Sequence, residues 1–292
     1  MTEPNRPVVT VVEVGPRDGL QNERVPVPTA TKIRFVDALA DAGLRWVEAT
    51  SFVNPKAVPQ MADAADVMRG IRRPTGVRFP ALVPNERGYD RAREAGVDAV
   101  ALFAAATEAF ANANLGTSVD GAMERFAAVA ARARADGAWL RGYVSVAFHC
   151  PYSGAVSPEA VRPIVDRLLE MGCAEISLAD TTGRATPDSV AHLLAALSGQ
   201  VPVDAVALHL HDTSGTALDN VDVGLAAGVR VFDSAAGGLG GCPFAPGAPG
   251  NLATESLVAH LQSKGYHTGI DPEKLRAATT IVMPLVRPGP GR

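Results

Sequence analysis

No stretch of the chain approaches the roughly twenty consecutive apolar residues needed to span a bilayer, because glycine, proline or a charge interrupts every apolar run. Residues 1–7 are polar and lead straight into the apolar stretch 8–12, without the basic segment and apolar core of a secretory signal. A cytoplasmic protein with no membrane partner is therefore expected. Cysteine is scarce: Cys150, Cys173 and Cys242 are scattered and odd in number, which fits reduced thiols better than a disulfide framework. A basic excess is missing too, since 27 Lys and Arg stand against 31 Asp and Glu for a net charge of −4. That balance gives no general attraction to nucleic acid or anionic surfaces, so small molecules are the expected partners. What the chain does have is 292 residues, 47% hydrophobic and 20% charged, enough for a sizeable core and close to the size of one α/β barrel.

Short β-rich segments alternate with alanine-rich helical stretches along the whole sequence, the pattern of parallel βα units. Eight strand candidates fall at residues 8–14, 46–50, 77–82, 99–103, 142–148, 175–179, 206–210 and 229–234. Between them lie amphipathic stretches such as 31–42, where Ile33, Val36, Leu39 and Ala40 recur at helical spacing with Lys32 and Asp37 outside. The tripeptides ending in Gly43, Gly96, Gly172 and Gly228 each close a helix just before a strand, as left-handed glycine caps do. Eight regular units without a glycine-rich dinucleotide fingerprint favour a closed (β/α)8 TIM barrel over a doubly wound open sheet. Residues 1–292 are read as one catalytic domain, with the barrel over about 8–260 and a C-terminal helix and tail over about 271–292.

In such a barrel the chemistry gathers at the C-terminal ends of the strands. There the sequence places Arg17 and Asp18 after the first strand, Glu48 and Ser51 on the second, Asp180 at the end of the sixth, and His209 and His211 on the seventh. Alternation puts residues i and i+2 of a strand on one face, roughly 6 to 7 Å apart, which suits two imidazoles sharing one metal. An isolated pair of this kind is more simply a pair of hydrogen-bonded histidines, but Asp18 and Asn251 supply further ligands. Mixed imidazole, carboxylate and amide oxygen ligation suits Mg²⁺ or Mn²⁺. Glu48 and Asp180 are equally readable as acceptors for backbone N–H groups. Arg17, beside a metal ligand, suits a carbonyl that gains negative charge.

Cys242 lies in a segment, 237–250, in which nine of fourteen residues are glycine or proline. Such a loop can close over substrate and bring a thiol in as acid or base; a surface turn with an incidental thiol is the alternative. Cys173, entering the sixth strand, reads as a small buried thiol, and Cys150, beside His149, has no supporting pattern.

The stretches VGPRDGLQNE (14–23), EATSFVNPKAVPQM (48–61), RGYVSVAFHCPYSG (141–154), EISLADTTG (175–183), LHLHDTSGTALDN (208–220) and GLGGCPFAPGAPGNLATE (238–255) together resemble the hydroxymethylglutaryl-CoA lyases. The resemblance runs from about Val8 to Leu275. It implies a barrel lyase that cleaves 3-hydroxy-3-methylglutaryl-CoA to acetyl-CoA and acetoacetate, in leucine degradation and ketone-body formation, possessing a CoA thioester substrate and possible as a homodimer. It implies that Asp18, His209, His211 and Asn251 hold a divalent cation, Mg²⁺ or Mn²⁺. It puts Arg17, Glu48, Asp180, His209 and Cys242 in catalytic positions, Ser51 at the acyl site, and Arg24 and Asn114 near the CoA. Arg24 stands where many relatives have lysine, which keeps the charge but not the donor geometry. Phe148-His149 and Arg184-Ala185 also depart from the family pattern, and a longer 3-alkyl substituent is the nearest alternative substrate.

On this reading a metal polarises the tertiary hydroxyl, Arg17 stabilises the thioester enolate, Asp180 with His209 takes the hydroxyl proton, and Cys242 protonates the enolate. The rival readings are a condensing acyl-CoA synthase or a pyruvate aldolase of the same superfamily, and a degenerate barrel serving as a binding scaffold.

Overall fold

The glycines that close the helices turn the chain as the sequence predicts. Gly43, Gly96, Gly172 and Gly228 have φ of 102°, 76°, 88° and 98°, a region that side chains enter only at a cost. At Gly43 space adds a second demand, since a Cβ would lie 2.2 Å from the carbonyl oxygen of Gly269. The computed structural model describes residues 6–240 and 250–286.

The chain runs through β1 (Thr10–Glu13), α1 (Thr29–Asp41), β2 (Trp46–Val47), β3 (Thr50–Ser51), α2 (Ala64–Gly70), β4 (Ala81–Leu82), α3 (Glu86–Glu94) and β5 (Ala99–Ala105). Then come α4 (Glu108–Leu115), α5 (Val119–Ala135), β6 (Trp139–Ser145) and a hairpin of β7 (His149–Cys150) and β8 (Gly154–Ala155). The remainder is α6 (Pro158–Glu170), β9 (Glu175–Asp180), α7 (Pro187–Leu197), β10 (Val206–Leu210), α8 (Ala217–Ala226), β11 (Val231–Ser234), α9 (Thr254–Ser263) and α10 (Pro272–Val286). The main sheet is ordered β2-β1-β11-β10-β9-β6-β5-β4-β3, and each pairing in it is parallel.

β2 and β3 are the two halves of one continuous stretch. β2 pairs with β1 while β3 pairs with β4. Between them Glu48 N donates to Glu13 O at 2.8 Å and Ala49 N to Pro80 O at 3.0 Å, on opposite sides. The nine strands thus form eight staves of a closed (β/α)8 barrel.

Strand alternation divides each stave between the helical ring and the barrel interior. A Cβ on Gly142 would lie 2.8 Å from the Leu168 side chain of α6, so this position of β6 faces the helices. Its neighbours Arg141 and Tyr143 face inward, both buried. Phe35, Leu39, Leu168, Leu208 and Phe232 are wholly buried between ring and barrel, each stabilising the fold by about 1.5 to 3 kcal/mol. At the C-terminus α10 packs on α1 through buried Leu275, Ala278 and Val282, the expected helical extension. Among the described residues no helix is long and apolar enough to cross a membrane.

Two sequence expectations are corrected. The fifth stave is Trp139–Ser145, not 142–148: Gly137 (φ 72°) ends the preceding helix early, and Val146 (φ 52°) turns the chain out of the sheet. Lys32, expected outside α1, is buried with its ammonium on Asp63 at 2.7 Å, because α1 packs against α2 at that point.

Candidate active site

After β1 the chain makes a π-type turn, Gly15–Gly19, in which the N–H groups of Arg17, Asp18 and Gly19 all point at Val14 O, at 3.1, 2.7 and 3.2 Å. The turn is this tight because it packs on Leu239, whose Cβ would be 2.7 Å from a Cβ on Gly19. Arg17 is only 6% exposed. Its Nε donates to Glu48 Oε1 at 2.8 Å and its Nη2 to Glu48 Oε2 at 3.2 Å, while Nη1 donates to Asp18 Oδ1. Burial disfavours the guanidinium charge, but Glu48 and Asp18 outweigh it and hold the proton more firmly than usual. Burial likewise opposes the Asp18 carboxylate, and Arg17, His209 and His211 nonetheless hold its pKa below the ordinary range.

Asp18, His209 and His211 offer ligand atoms that all lie within 4.8 Å of one another. His209 Nε2 and His211 Nε2 are 3.2 Å apart, and Asp18 Oδ2 is 3.9 Å from His209 Nε2. Asn251 joins them, its Nδ2 donating to Asp18 Oδ2 at 2.9 Å and to Leu239 O at 3.1 Å. The donor set fits a hard divalent cation. One buried atom supports the fit, since Asn251 Oδ1 has no hydrogen-bond partner where such groups are normally satisfied. Burial, reinforced by His209, lowers the His211 pKa to about 4, so at neutral pH its imidazole is the neutral form that ligates metals.

A second layer of charge lies beneath this cluster. His209 Nδ1 meets Asp233 Oδ2 at 3.2 Å, which assigns the proton to Nδ1 and turns Nε2 toward the mouth. Asp233 also accepts from Arg141 Nη2 at 2.6 Å and from Ser177 Oγ at 3.1 Å. Arg141 donates to the Tyr143 hydroxyl at 2.8 Å, and Tyr143 donates to Glu48 Oε2 at 2.5 Å. A continuous chain of hydrogen bonds therefore runs from Arg17 through Glu48, Tyr143, Arg141 and Asp233 to His209. Tyr143, Arg141 and Asp233 were missed in the sequence. The signal for the first two was the polar alternation Arg141-x-Tyr143-x-Ser145 on one stave; Asp233 stands on another, β11.

Above the cluster opens a cavity of about 180 Å³, lined by Arg17, Asp18, His209 and His211 together with Phe103, Tyr143, Ser145, Asn114 and Thr181. Val146, a β-branched residue at φ 52°, follows Ser145 and donates its N–H to Thr181 Oγ1 at 2.9 Å; backbone strain of this kind commonly marks functional sites. A larger groove of about 850 Å³ lies by α7 and α8 near the start of β10, but its lining holds no titratable side chain.

The structure thus brings together Arg17, Asp18, Glu48, His209, His211 and Asn251, with Asn114 on the cavity wall. Asp180 is placed differently. It belongs to the outward set of β9, and its oxygens accept from Arg184 N and Ala185 N at 3.0 Å each. Burial raises its pKa to about 6 against those bonds. Ser51 is buried with its hydroxyl 3.4 Å from Leu82 O, and neither it nor Arg24, which is exposed, is among the residues lining the cavity. Cys173 is buried, its thiol pushed up to about 12 by burial, as its sequence position suggested. Cys242 lies outside the described residues.

The HMGL-like family matches residues 8–282. Over 274 residues the chain is 51% identical to the mitochondrial hydroxymethylglutaryl-CoA lyase of Bos taurus, covering 94% of this chain and 84% of that one. Among solved structures, the HMG-CoA lyase from Brucella melitensis superposes with a TM-score of 0.94 at 48% identity, covering 96% of this chain and 99% of the other. An HMG-CoA lyase from Acinetobacter baumannii, in complex with coenzyme A and 3-methylmalate, superposes with a TM-score of 0.90 at 36% identity, over 96% and 91% of the two chains.

Proposed function

The chain belongs to the HMGL-like family, and from that premise we propose that it cleaves 3-hydroxy-3-methylglutaryl-CoA, or a close 3-alkyl analogue, to acetyl-CoA and acetoacetate or the matching 3-keto acid. It is a carbon–carbon lyase. The observation that carries the reading is the meeting, at one small cavity, of the Asp18–His209–His211 cluster with an arginine locked in place by Glu48. The metal-independent part of the same reading is the CoA thioester, supported by a relative of 36% identity whose structure holds coenzyme A.

Asp18, His209, His211 and Asn251 are the residues that would hold a divalent cation, for which we propose Mg²⁺ or Mn²⁺, and the bound ion would make the substrate's tertiary hydroxyl more acidic. His209 has only Nε2 to give to the cavity, because Nδ1–H is committed to Asp233. When the C2–C3 bond breaks, negative charge moves onto the thioester carbonyl. Arg17 is the donor for it: the guanidinium is buried, already oriented by Glu48, and stacked 5.5 Å from the Tyr143 ring, so little reorganisation accompanies the charge shift. Asp180 acts through the backbone it holds, fixing the turn that carries Thr181 at the cavity wall. To Cys242 we assign protonation of the enolate carbon, on the sequence alone. For the methyl-branched substrate we propose a place for the reaction in leucine degradation and ketone-body formation.

A panel of 3-hydroxyglutaryl-CoA thioesters differing at C3, assayed with and without added Mg²⁺ or Mn²⁺ and with both products identified, tests the reading. Release of acetyl-CoA from the panel is expected. Condensation of acetyl-CoA with a 2-keto acid, without cleavage of any thioester, would replace the lyase by a synthase.

A further inference from the structure

Glu13, the last residue of β1, carries a fully buried carboxyl that takes no part in the chemistry above. Its Oε1 accepts from Gly15 N at 2.8 Å and from Ala236 N at 2.9 Å. Its Oε2 accepts from Thr254 Oγ1 at 2.7 Å, and that hydroxyl oxygen lies 2.9 Å from Ser234 Oγ. Each of the three donors opens or follows a segment with a part in the site. Gly15 begins the turn that carries Arg17 and Asp18; Ala236 begins the short 3-10 turn Ala236–Gly238 that leads to Leu239 and Gly240; Thr254 follows Asn251 by three residues.

We propose that Glu13 is a positioning residue that sets the Asp18 turn and the Asn251 segment in register, so that the cation ligands of two separate loops meet. The inference rests on the cation site proposed above.

The packing around the three struts gives the same picture. Leu239 lies over Gly19, and its carbonyl accepts from Asn251 Nδ2 at 3.1 Å; Gly240 comes so close that a Cβ on it would be 3.3 Å from Gly19 Cα. The fit at Glu13 is equally close, since a Cβ on Gly15 would lie 2.6 Å from Glu13 Oε1. A second carboxylate, Glu255 of α9, secures the outer side of the Ala236–Gly238 turn, accepting from Gly237 N at 2.8 Å and from Thr279 Oγ1 at 2.6 Å. Asp18 and Asn251 are bonded to each other through side chains; the backbone path between their loops is tied by Val14 N to Ser234 O at 2.8 Å, Ala235 N to Leu252 O at 3.0 Å and Thr254 N to Ala235 O at 3.1 Å, and the Glu13 struts brace that same path from the side.

Burial raises the Glu13 pKa to about 7, against the hydrogen bonds from Thr254, Ala236 and Gly15 and with a small push from Glu255. None of its hydrogen-bond partners is a cation. The charged groups on the neighbouring elements are engaged elsewhere: Arg17 with Asp18 and Glu48, Glu255 with Gly237 and Thr279, and Asp233 of β11 with Arg141 and His209. Protonation leaves the struts standing, because a protonated Oε2 can donate to Thr254 Oγ1 while Oε1 still accepts both N–H groups. Glutamine keeps the shape and the same three contacts, Nε2 donating to Thr254 Oγ1 and Oε1 accepting both N–H groups, whereas alanine removes every strut.

The test uses the full chain, with Mn²⁺ as the probe, and titration calorimetry at neutral pH on the wild type, Glu13→Gln, Glu13→Ala and Thr254→Val. Amide hydrogen exchange on the metal-free proteins is the second readout. The expectation is that Glu13→Ala binds Mn²⁺ about 10- to 100-fold more weakly, the range usual for residues that support ligands from behind. Glu13→Gln should stay within about threefold of the wild type on the donor pattern just given, and Thr254→Val should fall between. Exchange should quicken in residues 14–20 and 250–254 of Glu13→Ala while the staves on the far side of the barrel keep their protection. Should Glu13→Ala fail to fold, the ordering of Glu13→Gln above Thr254→Val carries the test. A folded Glu13→Ala with wild-type Mn²⁺ affinity, or a Glu13→Gln as weak as Glu13→Ala, would overturn the inference. A wild type that binds no Mn²⁺ would instead overturn the cation site, and unchanged exchange in Glu13→Ala would then overturn the positioning role on its own.

Discussion

Tyr143 donates its phenolic proton to Glu48 Oε2 at 2.5 Å, on the carboxylate whose two oxygens already receive Arg17. The bond crosses the barrel interior from β6 to the junction between β2 and β3. Its removal by Tyr143→Phe leaves a buried carboxylate one donor short, and bonds to charged groups contribute about 1.5 to 3 kcal/mol. The expected result is a fall in kcat of roughly 10- to 100-fold, because the bond orients Arg17, with KM nearly unchanged, because phenylalanine keeps the ring that lines the cavity. Steady-state kinetics alongside thermal unfolding separates this from general loss of fold.

Arg17→Met should be the more severe change. Loss of one preorganised donor to a developing oxyanion costs about 3 to 4 kcal/mol, and the methionine also leaves buried Glu48 without a cation, held by Tyr143 alone. A drop in kcat of two to three orders of magnitude, on the order expected for such a donor, is predicted, with the metal content of the purified protein intact. A variant within tenfold of wild-type turnover would move the enolate to another donor.

Asp233→Ala removes the acceptor that fixes His209 and strands Arg141, which burial disfavours but Asp233, Tyr143 and Glu175 keep charged. Affinity for Mn²⁺ is expected to fall by about 10- to 100-fold. Nitrogen chemical shifts of His209 in the metal-free protein supply an independent check: the wild type should show the Nδ1–H form, the variant a mixture.

Asp180 gives a pH-dependent prediction. Its folded pKa of about 6 lies above its ordinary 3.8, so between those values the folded chain binds the proton that the unfolded chain has released. Its contribution to stability is therefore present below about pH 4 and is lost as pH rises through 6, by an amount on the order of 3 kcal/mol. Asp180→Asn should lose this dependence. Urea unfolding at pH 4 and pH 7 is expected to show the variant gaining on the wild type at the higher pH, by roughly that amount.

For Cys242→Ala the expectation is a loss of turnover of about 10² to 10⁴ with Mn²⁺ binding and folding preserved. Cys173→Ala, at a buried thiol whose pKa is pushed up to about 12, should leave turnover nearly unaltered. Alkylation should inactivate the wild type only through Cys242 and be slowed by substrate; a fully active Cys242→Ala would transfer the proton step to another group.

The barrel itself was legible because its marks are local: helical spacing, β-rich runs, and glycines where a helix must turn back. The meeting of His209 and His211 was legible for the same reason, two residues of one strand sharing a face. What the sequence did not reveal depends on contacts between distant staves. Arg141 reads as an ordinary strand residue until β11 brings Asp233 to 2.6 Å from it. Asp180 reads as a mouth residue from its position at the end of a strand, while the parity of Ser177, which reaches Asp233 inside the barrel, puts residue 180 on the other face. Lys32 misled because its charge argued for solvent, while Asp63, thirty-one residues on, compensates it in the interior.

The join between β2 and β3 has a mechanical consequence. Where a hoop is closed by one stave that hands its hydrogen bonds from one neighbour to the other, that stave is the clasp, and here the clasp is Glu48 and Ala49. The residue whose N–H engages Glu13 O is the same residue whose carboxylate grips Arg17. Opening of the clasp would therefore loosen the Arg17 guanidinium with it, and on the proposed role of Arg17 turnover is expected to fall as the hoop opens at this seam, before the rest of the barrel unfolds.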